Sequence, residues 1–204
     1  MVKVMTSIVL AGGKSLRFGR HKALEEIGGQ SLIQRVIDRL APLGTDIIVV
    51  VAHRDQVFLP DSKAKIVTDV YPAKGSLCGI YSGLKAAPSS HSLVVACDMP
   101  FLNLDLLRYL TELCHAFDAV IPRLEGLLEP LHAVYSKSCL GPMETLLHED
   151  RLKIADFLPA VKVRYVDEAE VEKFDPQRLS FFNINSEADL ERAKTLLERE
   201  PLLR

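Results

Sequence analysis

A chain of 204 residues, 48% hydrophobic and 25% charged, is long enough for one domain, 1–204, that buries roughly 70% of its unfolded surface, and no second core is required. Its formal net charge of −2, from 25 Lys+Arg against 27 Asp+Glu, excludes the basic excess that drives non-specific nucleic-acid binding. No apolar run approaches the ~20 residues of a membrane span, and Met1–Ser7 has no signal-peptide pattern, so the expected location is cytoplasmic, with neither nucleic acid nor membrane as partner.

The first element is a strand over Ile8–Leu10, which runs directly into Ala11-Gly12-Gly13-Lys14-Ser15-Leu16-Arg17-Phe18-Gly19-Arg20-His21-Lys22. Paired glycines let backbone N–H groups approach phosphate oxygens, and Arg17 and Lys22 add positive charge, so the loop reads as a triphosphate cradle. Spacing excludes two common phosphate loops. A Walker A motif would need glycine where Ile8 stands, and the dinucleotide fingerprint would need one at Lys14.

Ser31 with Gln34 forms a capping-box pattern ahead of Leu32, Ile33, Val36, Ile37 and Leu40, and Pro42 with Gly44 supplies the stop. Asp46–Ala52, Ile66–Thr68, Leu93–Cys97 and Ala119–Ile121 read as short, nearly continuous apolar strands of the parallel type. Leu77, Ile80, Tyr81 and Leu84 repeat at helical spacing, and Asn103 can cap a helix carrying Leu106, Leu107 and Leu110. The second half is less regular: strands at Leu131–Tyr135, Val161–Val166 and Ser180–Ile184, helices at Ser138–Leu147 and Ser186–Arg199, with Asp167–Glu172 as acidic punctuation. Strands alternating with helices imply βαβ crossovers and a three-layer α/β domain with a mostly parallel central sheet.

In open sheets of this type ligands collect beyond the carboxyl ends of the strands. Besides the opening loop, two such ends carry suggestive residues. Asp69 follows the strand Ile66–Thr68, and Gly75 and Gly79 open the next helix, whose amino terminus could face a nucleotide. Asp98 follows the strand Leu93–Cys97 and is stopped by Pro100. Its carboxylate is a hard oxygen ligand suited to Mg²⁺, although an Asp-x-Pro turn holding its own backbone is the simpler alternative. Asn183 and Asn185 fall on one face of the expected strand end, with a plain helix cap at Asn185 or Ser186 as the alternative. Cys78, Cys97, Cys114 and Cys139 show no Cys-x-x-Cys pair and read as buried thiols. His53, His91, His115, His132 and His148 lack metal spacing or a nucleophile partner and read as structural or exposed.

The opening motif resembles that of the molybdenum cofactor guanylyltransferases, which runs Leu-Ala-Gly-Gly, Ser, Arg-Met-Gly, Asp-Lys. Leu10 to Gly13, Ser15, Arg17, Gly19 and Lys22 match in register, with Phe18 and His21 as departures. Gly75-Ser76-Leu77-Cys78-Gly79 is similar to the family's Gly-Pro-Leu-Ala-Gly, and Asp98-Met99-Pro100 to its Asp-x-Pro. Glu129-Pro130-Leu131 and Arg151 are weaker matches; Asn183-Ile184-Asn185 is a stronger one.

The resemblance implies a Rossmann-like nucleotidyltransferase fold of three α/β/α layers, with a nucleotide-binding half at about 1–115 and an acceptor-binding part at about 116–204. It implies transfer of GMP from GTP to molybdopterin or its molybdenum-loaded form, with Mg²⁺ held by Asp98. Leu10, Ala11, Gly12, Gly13, Lys22, Asp69, Gly75, Gly79 and Asp98 would bind nucleotide. Arg17, Lys22 and Asp98 would be catalytic, and Arg151, Asn183 and Asn185 would meet the acceptor. Transient contact with cofactor-biosynthesis or molybdoenzyme maturation proteins fits such a role. A molybdopterin cytidylyltransferase, a sugar- or alcohol-phosphate nucleotidyltransferase and a non-enzymatic GTP-binding carrier of the cofactor are the alternative readings.

Overall fold

The structure, a computed structural model, describes residues 5–12, 22–53 and 64–199. In chain order its elements are β1 (Thr6–Leu10), β2 (Glu26–Ile27), β3 (Gln30–Ser31), α1 (Leu32–Leu40), β4 (Asp46–Val51), β5 (Lys65–Thr68), α2 (Gly75–Ala86) and β6 (His91–Ala96). There follow α3 (Leu104–Leu113), β7 (Ala119–Leu124), β8 (Leu127–Leu128), β9 (His132–Ser136), α4 (Leu140–His148), β10 (Val163–Val166), α5 (Glu168–Glu172) and α6 (Glu187–Arg199). Among the described residues the main sheet runs β10-β7-β9-β6-β1-β4-β5, with β8 paired to β7 alone and β2-β3 forming a separate hairpin.

The pairs β1–β4, β1–β6, β4–β5 and β7–β10 are parallel, and β9 is inserted antiparallel between β6 and β7. The four parallel strands β5, β4, β1 and β6 therefore end together at Thr68, Val51, Leu10 and Ala96. Alternation sorts their side chains onto two faces. Val9, Val49 and Val95 join the cluster beneath α1 and α3. Ile8, Ile48, Val50 and Val94 join the one beneath α2 and α4. A sheet buried on both faces explains why these strands read as unbroken apolar runs.

Helix starts follow the expected chemistry. Ser31 Oγ accepts the Gln34 N–H at 3.4 Å, although the Gln34 side chain turns to Asp38 instead of closing a capping box. Asn103 Oδ1 accepts from the N–H groups of Asp105 and Leu106, both at 3.0 Å. α2 lies very close to the sheet: a Cβ on Gly83 would stand 2.6 Å from Ile8 Cγ2, so only glycine fits there without repacking.

Two expectations for the second half need correction. The acidic stretch Asp167–Glu172 is not punctuation. Asp167 and Glu170 form a reciprocal capping box that starts α5. The expected strand at Ser180–Ile184 does not form, because the buried Asp175 carboxylate accepts from the N–H groups of Leu179 (3.1 Å) and Ser180 (2.8 Å) and winds Leu179–Phe181 into a 3₁₀ turn. Ser180 Oγ in turn accepts the Asn103 N–H at 2.7 Å, fastening this turn to the start of α3. Beyond it, Ile184 enters a third apolar cluster with Ile27, Leu32, Phe101, Ala193 and Leu197, which carries the segment before α6 across the end of β6.

Candidate active site

Past β1, the Ala11 N–H donates to Val50 O at 2.8 Å and keeps the chain against β4. A Cβ on Gly12 would lie 3.0 Å from the Ala52 backbone nitrogen, so the loop leaves the sheet through a gap too narrow for a side chain. Gly13 and Arg17, with the rest of 13–21, lie outside the described residues. The described chain resumes at Lys22, which opens a 3₁₀ turn, Lys22–Leu24.

On the other side of β1, the Cys97 N–H donates to Leu10 O at 3.1 Å and continues the line of β6 to Asp98. There Lys22 Nζ donates to Asp98 Oδ2 and, at 2.7 Å, to Asn185 Oδ1. The Lys22 and Asp98 side chains are only 13% and 19% exposed, so this ion pair is less screened than a surface one. The second carboxylate oxygen, Asp98 Oδ1, is buried and has no hydrogen-bond partner among the described residues. An orphaned carboxylate oxygen is costly in a protein interior, and a water, an ion or a ligand is the kind of partner that would satisfy it. Burial, with Asp98 next in line, pushes the neighbouring Cys97 thiol up to about 12 and keeps it protonated, which removes it as a nucleophile.

Asn185 is set by its own surroundings. The Ile184 N–H donates to Asp98 O at 3.1 Å, the Asn185 N–H donates to Asp189 Oδ2 at 3.0 Å, and Ser186 Oγ and Asp189 exchange hydrogen bonds at the head of α6. Asn183 does not share its face. With no strand to align them, Asn183 Nδ2 turns back to Phe181 O at 3.1 Å. Of the two asparagines, the structure brings Asn185 alone to Lys22 and Asp98.

Asp69 stands at the end of β5, its N–H donating to Val51 O at 3.0 Å. Burial raises its carboxyl to about 6, with the adjacent Ser82 hydroxyl and Cys78 thiol opposing the shift, and Asp69 Oδ1 too is buried without a partner among the described residues. Gly75 opens α2, and Gly79 lies over Leu10, a Cβ there standing 3.2 Å from Leu10 Cδ2. Asp69 at the end of β5 and Gly79 over Leu10 thus stand at strand ends on the side of β1 away from Asp98, and Gly75 opens the helix that carries Gly79.

Arg151 is engaged elsewhere: its guanidinium pairs with Glu149 and Asp156 just after α4. No contact among the described residues joins it to Lys22, Asp98 or Asn185. The end of α4 does reach the loop after β5, where Lys74 Nζ donates to Leu147 O at 2.6 Å and pairs with Asp150 at 3.1 Å. One group escapes a reading of the sequence by motif. Ser82 sits one turn beyond Cys78 on the same face of α2, a helical spacing that could have marked it. His132, read as structural or exposed, is structural: it is fully buried with its ring 4.5 Å from that of Phe181.

The sequence profile of the MobA-like NTP transferase domain matches residues 7–161. The chain belongs to this family. It is 36% identical over 193 residues to a probable molybdenum cofactor guanylyltransferase of Pelotomaculum thermopropionicum, covering 95% of this chain and 93% of that protein. A molybdenum cofactor guanylyltransferase of Desulfosudis oleivorans is 35% identical over 196 residues, covering 95% and 96% of the two chains. Among solved structures, the molybdopterin-guanine dinucleotide biosynthesis protein A of Archaeoglobus fulgidus superimposes with a TM-score of 0.85 at 30% identity, over 96% of this chain and all of that one. The chain is a nucleotidyltransferase of this family.

Proposed function

We propose that the protein transfers GMP from GTP to the terminal phosphate of molybdopterin, with or without its metal, and releases pyrophosphate. The observation that carries the reading is the meeting of Lys22, Asp98 and Asn185 beyond the β1 and β6 ends, in a chain whose relatives are named guanylyltransferases.

In this reaction an oxygen of the acceptor phosphate forms a bond to the α-phosphorus of GTP. The bond to the bridging oxygen breaks, and pyrophosphate departs with that electron pair. The acceptor is already an anion at neutral pH, so no protein base is needed to activate it. The protein's part is to hold two repelling anions in line and to stabilise charge that grows on the α-phosphate and the leaving group. Lys22 supports this reading: it stands at the strand ends, held by a carboxylate and an amide, and would turn toward phosphate when the nucleotide binds.

The donor set suits magnesium. Asp98 Oδ1 is a buried carboxylate oxygen lacking a partner among the described residues, and the Asn185 amide oxygen shares Lys22 with this carboxylate; both are hard ligands, and phosphate and water would complete the shell. Bound there, the ion would neutralise charge on the triphosphate. Asp98 would hold it, Asn185 would orient acceptor phosphate against nucleotide without adding negative charge, and Arg17 of the opening loop would add a second cation. The backbone of Leu10–Gly13 and the loop Asp69–Gly79 would hold the nucleoside and its phosphates.

The test is pyrophosphate release by the purified protein, with each of the four NTPs, in the presence and absence of molybdopterin. Release that requires both GTP and molybdopterin is expected. Binding of GTP or molybdopterin with no pyrophosphate formed would instead identify a carrier.

A further inference from the structure

The loop that follows β5 does not hold its own shape. Ala73 has φ +64°, a left-handed conformation that disfavours any residue with a Cβ, so contacts from outside the loop must impose its course. Lys74 is held by the end of α4, while the contacts on the Val70 and Tyr71 backbone come from one face of α2. Ser82 Oγ accepts the Val70 N–H at 2.9 Å, and Cys78 Sγ both accepts the Tyr71 N–H at 3.4 Å and donates to Tyr71 O at 3.2 Å. The two side chains, four residues apart and fully or almost fully buried, also touch each other at 3.6 Å between Sγ and Oγ. With the Asp69 N–H bonded to Val51 O, three successive residues, Asp69, Val70 and Tyr71, are tied by their backbone to β4 and α2. The Asp69 carboxylate emerges from this clip with Oδ1 buried and without a partner among the described residues.

We propose that Cys78 and Ser82 are positioning residues for the nucleotide: they clip the 69–71 backbone to α2 and thereby hold Asp69 ready to receive a hydrogen-bond donor of the bound nucleoside. The inference rests on the assignment of the Asp69 loop to the nucleotide site. A thiol and a hydroxyl suit the task because each can accept an N–H while presenting its own hydrogen elsewhere. Neither group reaches the Lys22–Asp98 centre through any contact among the described residues, so their effect should fall on binding of the nucleotide more than on the chemical step.

The experiment compares Cys78→Ala, Ser82→Ala, the double variant, Cys78→Ser and Asp69→Asn, each first checked for a cooperative melt. For each, GTP affinity is measured by calorimetry, and kcat and KM by pyrophosphate release with molybdopterin. Losing two or three buried hydrogen bonds from the loop should raise the GTP Kd and KM of the double variant about tenfold, with a smaller fall in kcat, and Cys78→Ser should recover most of the Cys78→Ala loss. Should Asp69→Asn weaken GTP binding while the double variant binds within twofold of wild type, the clip is overturned and the loop assignment stands. Should Asp69→Asn leave GTP affinity unchanged, the loop assignment fails and takes the clip with it.

Discussion

Lys22 and Asp98 are 76 positions apart in the chain, yet Lys22 Nζ donates directly to Asp98 Oδ2 where the ends of β1 and β6 run side by side. The pair leaves Asp98 Oδ1 unengaged among the described residues and lets Lys22 reach Asn185 as well. Charge balance is built into the site: the lysine proposed to meet phosphate rests on the carboxylate proposed to hold a metal.

Removing either member should therefore harm catalysis more than folding. Asp98→Ala takes away the proposed metal ligand and should reduce magnesium-dependent turnover by at least ~10²–10³, the scale for losing one strong electrostatic stabiliser. Steady-state pyrophosphate release over a magnesium titration measures it. Turnover near wild type would remove Asp98 from the site.

Asn183 and Asn185 should behave differently, although they look equivalent in sequence. Asn185→Ala removes the acceptor of the Lys22 hydrogen bond and should slow transfer at saturating GTP by an order of magnitude or more. Asn183→Ala deletes a bond to Phe181 O and should cost roughly 1 kcal/mol of stability with little change in kcat. Kinetics and thermal melts of the two variants side by side decide the matter.

His132 makes stability depend on pH. Burial holds its imidazole neutral, depressing its titration to about 3, and both ring nitrogens are without partners among the described residues. An unfolded histidine takes up a proton near 6.5, so between these values the unfolded state binds a proton that the folded state refuses. The contribution is complete above pH ~6.5 and is lost as pH falls from there toward 3, at up to ~1.4 kcal/mol per pH unit. His132→Phe keeps an aromatic partner for Phe181 and should lose about 2 kcal/mol less between pH 7 and pH 5 than the wild type does. Urea melts at the two pH values measure the difference.

Gly83 tests the packing of α2 on the sheet. A methyl group there would meet Ile8 Cγ2 at 2.6 Å and Val50 Cγ2 at 3.2 Å, so Gly83→Ala should destabilise by ~1–3 kcal/mol despite alanine's better helix propensity. Gly141→Ala in α4, where a Cβ has nothing within 4 Å, is the control and should be neutral or stabilising in the same chemical melt.

Where the chain announces its elements through local chemistry, the reading of the sequence holds: Ser31 and Asn103 cap α1 and α3, and the valine-rich runs are the buried parallel strands. It fails at Ser180–Ile184 because an aromatic and apolar stretch running into the alternating Phe182-Asn183-Ile184-Asn185 mimics a strand, while the deciding group, Asp175, lies several residues upstream and acts through backbone N–H groups. The helix α5 was within reach, since Asp167 and Glu170 stand at capping-box spacing. At the candidate site, the opening motif and Asp98 stand out in the sequence as residue types suited to phosphate and to a metal. That Lys22, Asp98 and Asn185 meet does not, because no spacing rule links residues so far apart; strand order and the third apolar cluster bring them together. Arg151, placed with the acceptor by resemblance alone, pairs with Glu149 and Asp156.

The most direct test of the account is the mass of the product formed when the purified protein is incubated with molybdopterin, magnesium and an equimolar mixture of GTP and CTP. A site that pairs its buried polar groups with guanine leaves them unpaired against cytosine, so the molybdopterin adduct should carry GMP, accompanied by one pyrophosphate per adduct. An adduct carrying CMP would reassign the nucleotide, and recovery of unmodified molybdopterin with intact GTP would contradict the transfer itself.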